Sequence, residues 1–128
     1  MTAYRVEIIA VGTELLLGNV ANTDAQFLSE MLASVGVDVL YHTAVGDNPA
    51  RLREVVDIAR GRANLLVFTG GLGPTYDDMT KQTVCEAFGL GLEFHPEIVE
   101  EIRHYFDTVF RREMPACNLQ QAYLPRGC

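Results

Sequence analysis

Ten consecutive residues, Thr69 to Asp78 (TGGLGPTYDD), combine three glycines with two adjacent carboxylates, a pairing that points to phosphate held beside a cation. Gly70, Gly71 and Gly73 let the backbone take positive φ and approach a ligand with no side chain between. Successive N–H groups in such a turn form an anion nest, and a following helix adds the positive end of its dipole. The segment is not a P-loop, because no Gly-Lys followed by Ser or Thr occurs, and it lacks the G-x-G-x-x-G fingerprint. Its plain structural reading is a tight turn in which Asp78 or Thr80 caps the next helix. Asp77 and Asp78 change the electrostatics. Two unit charges about 4 Å apart at an effective dielectric near 20 interact by roughly 4 kcal/mol, against about 0.3–1 kcal/mol from a helix terminus. Bare aspartates would therefore repel the phosphate, and a hard divalent cation bridging carboxylate and phosphate reverses the sign. Lys81, one turn into the expected helix, is a candidate to neutralise phosphate charge, with a solvated lysine as the alternative.

Two further loops are expected at the same edge. Gly12-Thr13-Glu14 and Gly46-Asp47-Asn48 each follow a predicted strand, so Glu14 and Asp47 join Asp78 where open parallel sheets bind ligands. Each carboxylate alone could be a surface or capping residue. Three around one cleft would suit metal binding, or a general base that activates water for attack on phosphorus. Other metal chemistry finds little support. Cys85, Cys117 and Cys128 are odd in number and widely spaced, and His42, His95 and His104 lack an H-E-x-x-H arrangement. Cys85, in an amphipathic helix, reads as a buried inert thiol.

The elements that must position these loops alternate. Arg5 to Val11 is a predicted strand. Ala21 to Val35 is a helix with a face of Leu28, Met31, Leu32 and Val35, stopped by Gly36. Val37 to Val45 is a second strand, and Pro49 opens a helix with Leu52, Val55, Val56 and Ala59 inward. Asn64 to Thr69 is the most apolar strand and does not alternate, as expected of one covered on both faces. Thr80 to Phe88 is a short helix, and His95-Pro96-Glu97 opens the longest, running to about Arg112 with Ile98, Ile102, Tyr105, Phe106 and Val109 inward. The order βαβαβ predicts a parallel, doubly wound α/β sheet in one domain, residues 1–128. Met114 to Cys128 has no strong period and ends on a turn signal, which reads as a domain truncated at its C-terminal end.

Bulk properties exclude several classes. With 128 residues and 48% hydrophobic content the chain can bury a core. A net charge of -7 argues against nucleic acid, whose binders show a basic face. Arg51, Arg53, Arg60 and Arg62 read as a solvated helix face. No apolar run reaches the roughly 20 residues of a membrane helix, and the start is no secretory signal, so a cytoplasmic setting is expected.

AVGTELLLGNVANTDAQFLSEML, VGDN and TGGLGPTYDDMTKQTV closely resemble the N-terminal domain of the CinA family (competence/damage-inducible protein A), itself related to molybdopterin-binding proteins of the MoaB/Mog type. The resemblance covers nearly the whole chain and extends into NLQQAYLPRG. It implies a three-layer α/β/α fold with a mostly parallel sheet and a ligand above the glycine loop. In molybdopterin-type relatives the T-G-G-x-G segment holds the pterin phosphate, and aspartates matching Asp78 and Asp47 matter for activity. In CinA proteins the domain is associated with metal-dependent hydrolysis of ADP-ribose at its pyrophosphate, and many members add a C-terminal amidohydrolase domain, which is not expected within residues 1–128.

Taken with the reading of the strand-end loops, which adds Glu14, the resemblance implies catalytic roles for Asp78, Asp47 and Glu14. It implies ligand contacts from Thr69, Gly70, Gly71, Gly73, Thr75, Thr80, Gly12, Thr13 and Lys81, and a divalent metal (Mg2+, Mn2+ or Co2+) on Asp77 and Asp78. The alternatives are a molybdopterin-binding module, with or without adenylyl transfer, and a non-catalytic oligomerising or regulatory domain. Two departures stand out: the family's domain continues into another strand and glycine-containing loop, and Asn19 and Asp24 replace other polar residues. Related domains form dimers or trimers, so a homo-oligomer is expected, with Val109 and Phe110 as candidate contacts.

Overall fold

The computed structural model describes residues 3–128; residues 1 and 2 of the expected single domain lie outside the described residues. Three parallel strands form the main sheet: β1 (Arg5–Val11), β2 (Asp38–Val45) and β3 (Leu65–Thr69), in the order β2-β1-β3. A four-residue helix α1 (Thr13–Leu16) and the longer α2 (Thr23–Ser34) connect β1 to β2, and α3 (Pro49–Arg62) connects β2 to β3. The expected doubly wound α/β arrangement is present. On one face Val6 and Ile8 pack with Ala25, Leu28 and Leu32 of α2. On the other, Ile9 and Val11 pack with Leu52, Val56 and Ala59 of α3 and with Ala87 of the next helix, α4 (Thr80–Ala87). Alternate residues of β1 thus feed two helical layers, as the period of a strand requires.

Local chemistry explains the helix starts. The Asn22 side chain accepts the Ala25 N–H at 3.2 Å, and that of Asn48 accepts the Arg51 N–H at 3.0 Å ahead of Pro49. Met31 of α2 and Val35, the residue that ends it, are exposed, and only Leu28 and Leu32 of the expected face pack inward.

The most buried strand is β1, not β3. Every residue of β1 after Arg5 is buried, whereas β3 is half-buried along its length and lies at the sheet edge. The apolar run of β3 suits a two-sided environment, but among the described residues no strand pairs with its outer side. Buried within β1 is Glu7. Arg62 clamps it with two hydrogen bonds of 2.8 and 2.7 Å, and the Thr43 hydroxyl donates a third at 2.6 Å. Arg62 also lies 4.0 Å from the Tyr41 ring centroid, and Arg60 donates to the Ala87 carbonyl at 2.9 Å. Two of the four arginines read as a solvated face therefore tie the fold together, because their long side chains reach neighbouring elements, Arg60 the end of α4 and Arg62 strand β1.

After α4 comes a small lobe. Strand β4 (Leu92–Phe94) pairs antiparallel with β5 (Tyr123–Pro125), and α5 (Pro96–Tyr105) lies between them in sequence. A π-helical turn, Phe106–Phe110, continues α5 and ends at Arg111 in the left-handed conformation, φ 51°. A 3₁₀ segment, Ala116–Ala122, leads into β5. Val99 and Phe106 are buried; Tyr105 and Val109, expected inward, are exposed, as is Phe110. The π turn adds a residue to the helical cycle and rotates Val109 off the inner face. No helix among the described residues is long and apolar enough to cross a membrane.

Candidate phosphate site at the carboxyl edge of the sheet

Register builds the site. Val11 pairs with Val45 and Ala10 with Thr69, so the loops beginning at Gly12, Gly46 and Gly70 emerge side by side. The first two are cross-linked. The Gly12 N–H donates to the Val45 carbonyl at 2.9 Å. Thr13 N–H donates to Asp47 Oδ2 at 3.1 Å, and Asp47 N–H returns a bond to Thr13 Oγ1 at 3.1 Å. Asp47 is therefore a fixed carboxylate with one oxygen engaged by backbone.

The third loop has the backbone that the glycines permit. Gly70 and Gly71 both take positive φ, 79° and 62°. A Cβ on Gly70 would meet the Val11 carbonyl oxygen, and one on Gly71 would meet Thr80 Oγ1. Thr80, 1% exposed, donates from Oγ1 to the Gly70 carbonyl at 2.8 Å and from its N–H to the Gly71 carbonyl at 3.1 Å. Thr80 is thus a clamp under the loop, out of reach as a surface ligand contact.

Asp78 is not the helix cap. The residue before α4 is Met79, which makes no side-chain cap bond. Asp78 Oδ2 instead accepts the Thr75 N–H at 2.9 Å and the Thr75 hydroxyl at 2.6 Å, while the Asp78 N–H donates to the Thr75 carbonyl at 3.1 Å. The Thr75 hydroxyl bond holds the Asp78 carboxyl below the usual carboxylate range; burial opposes, and the backbone groups of Thr75 and Gly73 add to the lowering. A carboxylate held ionised in this way is a weak proton acceptor and a good fixed anion.

The expected carboxylates reach one edge but open into three clefts. Asp78, Gly71, Gly73 and Lys81 line one of about 190 Å³. Glu14 lines a second, about 120 Å³, with Thr69, Gly70, Asn22 and Asp24. Asp47 and Asp77 line a third, about 210 Å³, with Tyr76. The expectation of three carboxylates around one cleft is corrected accordingly: the Thr13 link turns Asp47 toward the first two loops, and the Thr75 staple turns Asp78 toward Gly73. Asp77 and Asp78, neighbours in sequence, face different clefts.

This bears on a metal. Among the described residues no group of three or more His, Cys, Asp or Glu side chains could hold an ion. The donors do not form a protein-only cage. They suit a hard cation that takes one carboxylate from the protein and the rest from phosphate and water.

The small lobe supplies a wall that sequence reasoning missed. Gln120 and Tyr123 line the Asp78 cleft, the Lys81 ammonium donates to the Gln120 carbonyl at 2.9 Å, and Gln120 Nε2 approaches the Asp78 carbonyl at 3.4 Å. Burial pushes the Lys81 ammonium below its ordinary range, with the Cys85 sulfur opposing. Lys81 is thus held against Gln120 and partly withdrawn from solvent. The only signal for this wall was the position of NLQQAY within the quoted motifs.

A glycine loop at the carboxyl ends of parallel strands in a three-layer α/β domain marks the ligand edge of a doubly wound fold, and similarity to known proteins gives the class of that fold as molybdopterin-binding. Residues 7–126 match the family described as "Probable molybdopterin binding domain". The chain belongs to that family, and over most of its length it is similar to competence-damage inducible (CinA) proteins. It is 53% identical over 121 residues to a competence-damage inducible protein of Caldicellulosiruptor saccharolyticus, covering 94% of this chain and 29% of the relative. The corresponding protein of Bacillus subtilis is 50% identical over 123 residues, covering 96% and 29%. The chain therefore spans 29% of the length of these relatives. The solved CinA structure from Thermoplasma acidophilum superposes with a TM-score of 0.85 at 28% identity, over 98% of this chain and 73% of that one. MoaB from Thermus thermophilus shares the fold, with a TM-score of 0.63 at 23% identity over 95% and 79%.

Proposed function

We propose that this domain binds the phosphates of a nucleotide at the Gly70–Gly73 turn and, with a divalent cation, hydrolyses the pyrophosphate of ADP-ribose or a similar nucleotide. The observation that carries the reading is the pair of left-handed glycines at the end of β3, locked by Thr80 beside an ionised Asp78. Backbone N–H groups of the turn hold the phosphate. Asp78 stands beside them as the protein's carboxylate donor to the cation, which would polarise a phosphoryl oxygen. Of the two carboxylates expected to orient the attacking water, Glu14 is the better placed, since its cleft includes Thr69 and Gly70 of the turn, while Asp47 lines the Tyr76 cleft. Lys81 exchanges the Gln120 carbonyl for developing phosphate charge. A cytoplasmic setting, where nucleotides are abundant, fits this reading, and the exposed Val109 and Phe110 fit assembly through the end of α5.

The family description and the MoaB neighbour favour a second reading, in which the same turn holds a molybdopterin phosphate without hydrolysis. Incubation with ADP-ribose and Mg2+, Mn2+ or Co2+, followed by chromatography for AMP and ribose 5-phosphate, separates the two. Turnover abolished in Asp78→Asn with binding retained supports hydrolysis. Molybdopterin binding without turnover supports the second reading, and absence of both defeats each.

A further inference from the structure

We propose that Tyr76 is a stacking platform for the base of the bound nucleotide, and that with Asp47 and Asp77 it forms a subsite for an amino-bearing heteroaromatic ring. The proposal rests on the phosphate reading of the glycine loop and extends it to the other end of the ligand. Tyr76 is 92% exposed, the most exposed large apolar side chain among the described residues. Single exposed tyrosines are ordinary on protein surfaces; this one differs in its mounting and its neighbours.

The mounting is stiff. Thr75 and Asp78 bracket Tyr76 and Asp77 with three mutual hydrogen bonds, two from Thr75 to Asp78 Oδ2 and one from the Asp78 N–H to the Thr75 carbonyl. Pro74 restricts the entry to the same turn. A backbone already fixed in this way loses little freedom when a ligand docks against its side chain, so only the ring's own rotation remains to be ordered. Tyr76 follows Gly73 by three residues, at most about 11 Å of extended chain, which keeps base and phosphate within one nucleotide's reach.

The neighbours set the chemistry. Tyr76 borders a cleft of about 210 Å³ whose other walls are Pro49, Met79, Asp47 and Asp77. Proline and methionine offer apolar contact to a flat ring. The carboxylates only accept hydrogen bonds, so they match ring N–H and exocyclic amino groups and reject phosphate. One oxygen of Asp47 is taken by the Thr13 N–H, leaving the other for a ligand. The negative face of the tyrosine ring favours an electron-poor or protonated ring. Charge therefore orients the ligand: the anionic end goes to the glycine N–H groups and the amino-bearing ring to Tyr76.

The test is calorimetric titration of the 128-residue chain with AMP, ADP-ribose, ribose 5-phosphate and pyrophosphate in the presence of Mg2+, comparing wild type with Tyr76→Ala and Tyr76→Phe. Tyr76→Ala is expected to weaken AMP and ADP-ribose roughly tenfold or more and leave ribose 5-phosphate and pyrophosphate unchanged. Tyr76→Phe, which keeps the ring, is expected to bind all four as wild type does. Wild-type affinity for AMP in Tyr76→Ala overturns the platform, as does an equal loss for all four ligands, which marks general damage to the loop. A sedimentation change in Tyr76→Ala without a change in AMP affinity overturns it in favour of a contact between copies. If wild type binds none of the four, the phosphate reading itself falls. That outcome is distinct from one in which pyrophosphate binds and the base adds nothing.

Discussion

Gly71→Ala separates two costs that a glycine loop can hide, a strained backbone and a blocked approach. Gly18 supplies the control: its φ is 73°, and a Cβ there would meet nothing within 4 Å. Alanine in the left-handed region costs about 1–2 kcal/mol, offset by about 0.4–1 kcal/mol from a stiffer unfolded chain. Gly18→Ala should therefore destabilise by about 1 kcal/mol. At Gly71, with φ 62°, the same strain applies, but the new Cβ also meets Thr80 Oγ1, which is bonded to the Gly70 carbonyl. Moving that hydroxyl breaks a bond at a buried position and leaves a partner unsatisfied, a further cost of roughly 1–3 kcal/mol. The expected total is about 3 kcal/mol, read as a fall in the urea midpoint at constant slope. In a Thr80→Ala background the hydroxyl is gone and only the Cβ of residue 80 stays close, at 3.3 Å, so Gly71→Ala should there cost about 1 kcal/mol or slightly more than at Gly18, a non-additivity of about 1–3 kcal/mol. Equal losses at Gly18 and Gly71, with full additivity to Thr80→Ala, would refute the clamp.

Other expectations follow from the same contacts. The Arg62 hydrogen bonds, helped by Thr43 and opposed by burial, hold the Glu7 carboxyl below the usual carboxylate range. Its folded pKa therefore lies below its unfolded one. The stabilisation is complete above the unfolded value and is lost as pH falls through the folded value. Arg62→Met should be destabilised most near neutral pH and approach wild type in acid, by thermal melts across pH. The loss should sit toward the low end of the ~3–5 kcal/mol typical of a broken buried pair, because the Arg62 side chain is 36% exposed. Asn48→Ala removes the cap of α3 and should cost about 1 kcal/mol in the urea midpoint. Asp78→Asn replaces the ionised acceptor of Thr75 by a weaker neutral one, so the Thr75 N–H should exchange with solvent faster than in wild type, read by hydrogen exchange.

Much of the scaffold was legible because it rests on short-range signals. Strand β1 ending at Gly12, the Asn48-Pro49 helix start and the Gly36 stop each depend on a residue and its immediate neighbours. The glycine loop was legible for the same reason: few residues other than glycine tolerate the φ values that Gly70 and Gly71 adopt. What escaped depends on partners far along the chain. The burial of β1 over β3 follows from strand order, which hydrophobicity alone cannot assign. The Glu7–Arg62 clamp joins residues 55 apart, and the Gln120 wall meets Lys81 across 39. Asp78 was read as a cap or a ligand from composition. Its staple to Thr75 needed the turn geometry, which also sends Asp77 and Asp78 to different clefts.

The central claim is that phosphate binds the backbone of the Gly70–Gly73 turn, and amide chemical shifts test it most directly. The 15N-labelled chain is titrated with pyrophosphate and then ADP-ribose in the presence of Mg2+. The account predicts saturable downfield shifts of the turn's amide protons, Gly71 and Gly73 among them, with smaller changes near Asp47 and Glu14. Saturable shifts confined to other surfaces, with the turn amides unmoved, would contradict it.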